Sequence, residues 1–158
     1  MQRLVLSEAG PELTPDDVRE AEVTVGVSFP PAVTGVYLCS NGGVPADPYW
    51  RADDDDEAGI LLSRFLPIRY DAGSGGTLES THATLAGRGV INRDLVPFAV
   101  DWGSNFVCFD EEGLVYFVTT DDWTSELSME ENRARSRRRI ANSVEEFLDN
   151  LHPESEIP

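Results

Sequence analysis

The sequence predicts a single α+β domain, and three observations carry that expectation. The chain is 158 residues long and 41% hydrophobic, enough for one domain with a true core. Its first forty residues hold two segments punctuated as helices. Between Val96 and Val118 lie three apolar runs separated by short polar turns, the pattern of antiparallel strands.

The first helix is marked at both ends. Thr14 stands at an N-cap position, Pro15 suits the first helical residue, and Asp17 completes a capping-box pattern. Leu13 and Val18 are spaced as a hydrophobic staple. Val18, Ala21 and Val25 repeat at helical spacing, and Gly26 ends the run. A second helix follows Phe29-Pro30-Pro31, with Val33, Val36, Tyr37 and Ser40 along one side. Asn41-Gly42-Gly43 stops it, because Asn and Gly readily take the left-handed cap conformation.

The middle of the chain carries weaker signals. Ala46 to Ala58 reads as a solvated loop holding Tyr49, Trp50 and the acidic run Asp53 to Glu57. Ile60 to Tyr70 supplies a strand, Asp71 to Gly76 a loop, and Ser80 to Ala86 a short helix. The β pattern is clearest in Val96–Val100, Phe106–Phe109 and Leu114–Val118. Asp110 and Gly113 occupy the first and fourth positions of a type I turn, and Pro97 suits a strand start or an edge. Glu126 to Arg139 is charged, with Glu131 and Arg135 at favourable helical spacing. A last helix begins near Ser143, where Glu146 completes another capping box. Val144, Phe147, Leu148 and Leu151 form its buried stripe, and Pro153 stops it.

Composition limits function. The formal net charge is −17 and the pI near 4.2, a field that repels nucleic acid and anionic membrane and attracts basic partners. All twelve basic residues are Arg, so Walker, Schiff-base and kinase lysines are excluded. No apolar run approaches the roughly 20 residues of a membrane span. The N-terminus lacks a signal-peptide pattern. Cys39 and Cys108, each in an apolar segment, read as separate reduced thiols. A cytoplasmic location follows as the expectation.

Sites of chemistry are hard to find. His82 and His152 lack a nucleophile elbow or a His–Glu metal motif. His82 reads as a helix residue and His152 as a helix-end residue favoured by the C-terminal dipole. Asp53 to Glu57 lacks the alternation and central Gly of a calcium loop, so it reads as a solvated or partner-facing acidic loop. Gly73 to Gly76 lacks the Lys of a phosphate loop. Tyr49, Trp50, Trp102 and Trp123 read two ways, as binding anchors or as lids over a small core. The Arg133 to Arg139 stretch reads as an internal counterweight to the acidic body.

Several strings match one family in order and spacing. They are Glu22 through Gly26-Val27-Ser28-Phe29-Pro30, then Pro30 to Asn41-Gly42-Gly43. Pro97-Phe98-Ala99-Val100-Asp101 with Gly103-Ser104-Asn105, Phe109-Asp110 and Gly113-Leu114-Val115-Tyr116 follow, and Ile140 to Leu148 adds a weaker piece. In these the chain resembles the SUKH superfamily, whose founding members are fungal cell-wall synthesis regulators. Val33, Val36 and Val144 depart from the aromatics usual at those places, and the Arg-rich stretch is longer than the family pattern. The matching strings span residues 13–151, and the resemblance implies a mostly antiparallel mixed sheet with helices packed against it; the expected domain is 1–152, with 153–158 after the helix-stopping Pro153 as a flexible tail. It also implies function by binding, without catalysis, cofactor or metal. Bacterial members resemble immunity proteins of polymorphic toxin systems; fungal relatives resemble regulatory interaction domains. The expected partner is therefore a basic toxin domain, not nucleic acid or membrane. Its contacts would be Tyr49, Trp50, Asp53, Asp54, Asp55, Asp56 and Trp102.

Overall fold

The computed structural model describes residues 4–52, 59–70 and 76–158. Among these residues the chain forms a two-stranded ribbon, a seven-stranded sheet and five α-helices, one α+β domain. In chain order the elements are β1 (Leu6–Ser7), α1 (Pro15–Val25), α2 (Pro31–Cys39), β2 (Val44–Pro45), β3 (Tyr49–Trp50) and β4 (Ile60–Phe65). Then come α3 (Leu78–Gly87), β5 (Val96–Asp101), β6 (Phe106–Phe109), β7 (Val115–Val118), α4 (Met129–Ser136), β8 (Arg137–Ala141), α5 (Val144–Asp149) and β9 (Leu151–His152). A 3-10 turn at Glu154–Glu156 follows. The small ribbon pairs β1 with β2. The large sheet runs β8-β7-β6-β5-β4-β3-β9, each pair antiparallel.

Helix punctuation acts as the sequence predicts. The Thr14 side chain accepts from the Asp17 N–H at 3.2 Å, and the Asp17 carboxylate accepts from the Thr14 N–H at 2.9 Å. That backbone bond is the main reason the Asp17 carboxyl is held below its ordinary range; the Arg69 guanidinium, 2.6 Å away, adds to it. Gly26 takes the left-handed cap at φ 77°. α3 is longer than the sequence reading, because Thr77 and Ser80 form a reciprocal capping box that starts it earlier.

Alternation along the central strands builds two cores. Val107 and Phe109 of β6, with Val115 and Phe117 of β7, face the main core. There α1, α2 and α5 contribute Val18, Val33, Tyr37, Val144 and Phe147. The intervening Phe106, Cys108, Tyr116 and Val118 face a smaller cluster under α3 with Ile91 and Leu95. A chain of aromatic contacts binds the main core. Phe29 meets Phe109 at 5.3 Å, Phe109 meets Phe98 at 5.4 Å, and Phe98 meets Phe147 at 5.7 Å, all edge-on. Pairs of this kind add roughly 0.5–1.5 kcal/mol beyond area burial.

Asn41 does more than stop α2. It is 2% exposed. Its Nδ2 donates to the Pro11 and Ile68 carbonyls at 3.1 and 3.0 Å, and its Oδ1 accepts from the Ile68 N–H at 2.6 Å. Gly43 then exchanges backbone hydrogen bonds with Phe65, at 3.0 and 2.8 Å, with φ at 121°. A Cβ there would sit 2.3 Å from the Ser7 carbonyl oxygen, so only glycine fits.

The structure corrects several expectations. Tyr49–Trp50, read as part of a loop, is a strand between β4 and β9. Such a short strand leaves no periodicity to read; its partners supply the order. Pro97, read as a strand start or edge residue, does stand near the start of β5, as its second residue, but β5 is a central strand and not an edge. The register shift between Pro97 and Ala99 opposite β6 accommodates its missing N–H. The charged stretch divides: Met129–Ser136 is helical, and Arg137–Ala141 forms the edge strand β8 against β7. His152, read as a helix-end residue, belongs to β9, two residues beyond the Asn150 cap, and its Nδ1 lies 3.2 Å from Glu156. Cys39 and Cys108 are both free thiols. Cys108 is buried, which pushes its pKa up, whereas Cys39 is exposed on α2 rather than packed among apolar neighbours.

Candidate partner-binding surface

The proposed contact residues separate into three groups. Asp53, Asp54, Asp55 and Asp56 lie outside the described residues. Tyr49 and Trp50 are core: Tyr49 is 7% and Trp50 2% exposed. Trp50 stacks on Phe147 at 6.1 Å, and Gly59 leaves room for the Tyr49 ring, which a Cβ would approach to 2.5 Å. Of the two meanings of a loop-adjacent aromatic, these residues take the core one. Trp102 is not core, with 71% of its surface exposed.

Trp102 is held out by its turn. β5 and β6 are joined by residues 102–105, and the Asp101 carboxylate ties that turn to itself. Its Oδ1 accepts from the Gly103 and Asn105 N–H groups at 2.9 and 2.7 Å, and its Oδ2 accepts from the Asn105 side chain at 3.1 Å. Ser104 sits in the left-handed region at φ 62°, which closes the turn tightly. The Trp102 N–H donates to the Leu61 carbonyl at 3.3 Å, extending the β4–β5 pairing beneath the indole. The backbone is thus fixed and the ring faces solvent.

Beside the indole lies a groove of about 340 Å³, walled by Val44, Pro45, Pro48 and Leu61 and edged by Glu154. Val44 is itself more than one-third exposed. The groove joins three distant pieces of chain: β2 and its exit, the start of β4, and the C-terminal 3-10 turn. Sequence reading found Trp102 but missed its neighbours. Nothing local marks Val44 or Leu61 as surface residues; the Gly43–Phe65 bridge and the β4–β5 pairing bring them near Trp102. Proline at 45 and 48 was the one available signal, since proline favours exposed, extended backbone.

The histidines do not assemble a site of chemistry. His82 is 3% exposed and its Nε2 lies 2.9 Å from the Arg93 carbonyl, tying α3 to the segment before β5. Among the described residues no three His, Cys, Asp or Glu side chains gather as metal ligands, and no helix is long and apolar enough to cross a membrane. The Arg stretch has mixed roles. Arg133 donates to the Gly89 carbonyl at 3.2 Å, Arg137 lies 5.4 Å over the Tyr116 ring, and Arg135, Arg137 and Arg139 are exposed.

The surface thus presents an exposed indole on a braced turn and a largely apolar groove with one carboxylate, Glu154, at its edge, on a strongly acidic chain. Compared with known proteins, the model of the SMI1 / KNR4 family (SUKH-1) matches residues 12–150. No curated protein matches the chain.

Proposed function

Since the chain belongs to the SMI1 / KNR4 family (SUKH-1), we propose that it is an immunity protein that neutralises a basic toxin domain by direct binding. One observation carries the reading: an indole 71% exposed on a self-braced turn, above an apolar groove, in a chain of net charge −17. An exposed aromatic beside a groove is the kind of anchor that dominates binding energy. The acidic field adds speed and selectivity. A nuclease must attract phosphate and so surrounds its cleft with Arg and Lys. The opposite potential steers the two together, worth about 10-fold or more in association rate at low salt. Neutralisation would come from covering the toxin's active cleft or holding it in an inactive shape, with no reaction on either protein. The acidic run Asp53 to Asp56 belongs to this proposal as a steering element.

A second reading is a regulatory or scaffolding interaction domain. It is favoured by the exposed Arg137 and Arg139 on the sheet-edge strand β8, a basic strip that a basic toxin does not call for. Coexpression with a candidate basic toxin domain separates the two. Rescue of growth supports immunity. Death at the same rate with and without this protein, for that toxin and for related ones, puts the regulatory reading first.

A further inference from the structure

A second recess, on the other side of the β5–β6 turn from the Trp102 groove, has a different chemistry. It encloses about 420 Å³ between α3, that turn and the end of β7. Its floor is apolar, built from Leu85, Phe106 and Val118. Thr84, Ser104 and Thr120, each with a hydroxyl, and Arg88 also line it. In a chain with 29 acidic and 12 basic residues, no carboxylate lines it among the described residues.

Arg88 has no ion-pair partner among the described residues. It caps α3 through its backbone N–H, which bonds Thr84 and Ala86 carbonyls, so its side chain is not needed for the cap. Two further cations stand close by. Arg133 and Arg137 line a crevice that shares Val90 and Val118 with this recess. Arg88 is thus the one charged side chain lining the recess among the described residues, with two further guanidinium groups in the adjoining crevice.

We propose that this recess binds a small organic anion, an oxyanion carried on an apolar body. The guanidinium supplies charge-assisted hydrogen bonds to the oxyanion, and the hydroxyls complete its coordination. The Leu85–Phe106–Val118 floor takes the apolar part. The volume falls in the range of small-ligand pockets, about 300–1,000 Å³. The proposal does not depend on the toxin reading, because the recess and the Trp102 groove share only the turn.

The test is a titration of phenyl phosphate into the isotope-labelled full chain, following the amide signals of Thr84, Arg88, Ser104 and Thr120. Saturable shifts confined to these residues are expected, with a dissociation constant of about 5 mM or tighter, ordinary for a ligand of this size. Arg88→Gln should weaken binding by about fivefold or more, with an unchanged circular dichroism spectrum. Benzyl alcohol, which keeps the ring and loses the charge, should bind as weakly. Benzoate in a parallel titration identifies the oxyanion, the tighter probe naming carboxylate or phosphate. Shifts that fail to saturate at about 20 mM, equal binding of inorganic phosphate, or an unaltered constant in Arg88→Gln would each overturn the proposal.

Discussion

Replacing Asn41 with alanine removes three side-chain hydrogen bonds at once and leaves the buried Ile68 N–H without an acceptor. The Ile68 carbonyl keeps the Tyr70 N–H at 2.7 Å, but the Ile68 N–H loses its partner, and Ile68 is 0% exposed. A buried polar group stripped of its partner costs about 1–3 kcal/mol, and the lost bonds to the Ile68 and Pro11 carbonyls add about 0.5 kcal/mol each. The total is roughly 3 kcal/mol, a large fraction of the 5–15 kcal/mol typical of a domain. With a urea slope of about 2 kcal/mol per molar, the unfolding midpoint should fall by about 1.5 M. Asn41→Asp should be at least as damaging. It keeps the shape and the Ile68 N–H acceptor, but turns a carboxylate oxygen toward two carbonyls. The assay is urea denaturation followed by tryptophan fluorescence and circular dichroism together. A midpoint shift under about 0.5 M for Asn41→Ala, at unchanged slope, would refute the view that this side chain pins α2 to the Ile68 segment.

Four shorter predictions follow from the same structure. Trp50→Ala should cost about 3–5 kcal/mol of stability, whereas Trp102→Ala should change it by less than about 0.5 kcal/mol; paired melts that rank them the other way would reverse their assignment as core and surface. One thiol, Cys39, should react with an aromatic disulfide reagent in the native protein and the second only after unfolding, because burial disfavours the Cys108 thiolate; fast reaction of both would contradict the packing under α3. Asp17 has a folded pKa below its unfolded value, so its stabilisation is complete above about pH 4 and is lost as pH falls through the folded value. Melting temperatures of wild type and Asp17→Asn should therefore differ steadily from pH 8 to 5 and converge in acid, and a gap unchanged at about pH 2.5 would show that the carboxylate charge is not what Asn lacks. Gly59→Ala should destabilise the β3–β4 pair, seen as faster amide exchange at Trp50 and Leu61, since the new methyl meets the Tyr49 ring; unchanged exchange would show that the ring can move aside.

Legibility followed sequence distance. α1 was readable in full because its cap, proline, staple and terminal glycine lie within fourteen residues and act locally. The β5–β6–β7 meander was readable because its turns are short. By contrast β3 and β9 contain two residues each, and their strand character comes from β4 and from each other. Arg137–Ala141 carries no readable strand signal in its charged sequence, yet it pairs along β7 and leaves Arg137 and Arg139 on the open edge, where charge discourages further strand addition. The candidate surface was half legible for the same reason. Composition pointed to a basic partner and the aromatics to anchors. Whether Trp50 or Trp102 reaches solvent depends on α5, which covers one and is remote in sequence from both.

The most direct measurement is the rate of complex formation and breakdown between the purified protein and the basic toxin domain proposed as its partner, compared with Trp102→Ala and with the four-fold Asn variant of Asp53 to Asp56, at low and high salt. An anchor acts on dissociation and a steering charge on association. The account predicts that Trp102→Ala dissociates at least about tenfold faster with little change in association, and that the Asn variant associates more slowly at low salt only. Unchanged dissociation for Trp102→Ala, with the wild-type complex intact, would contradict the placement of the partner on this face.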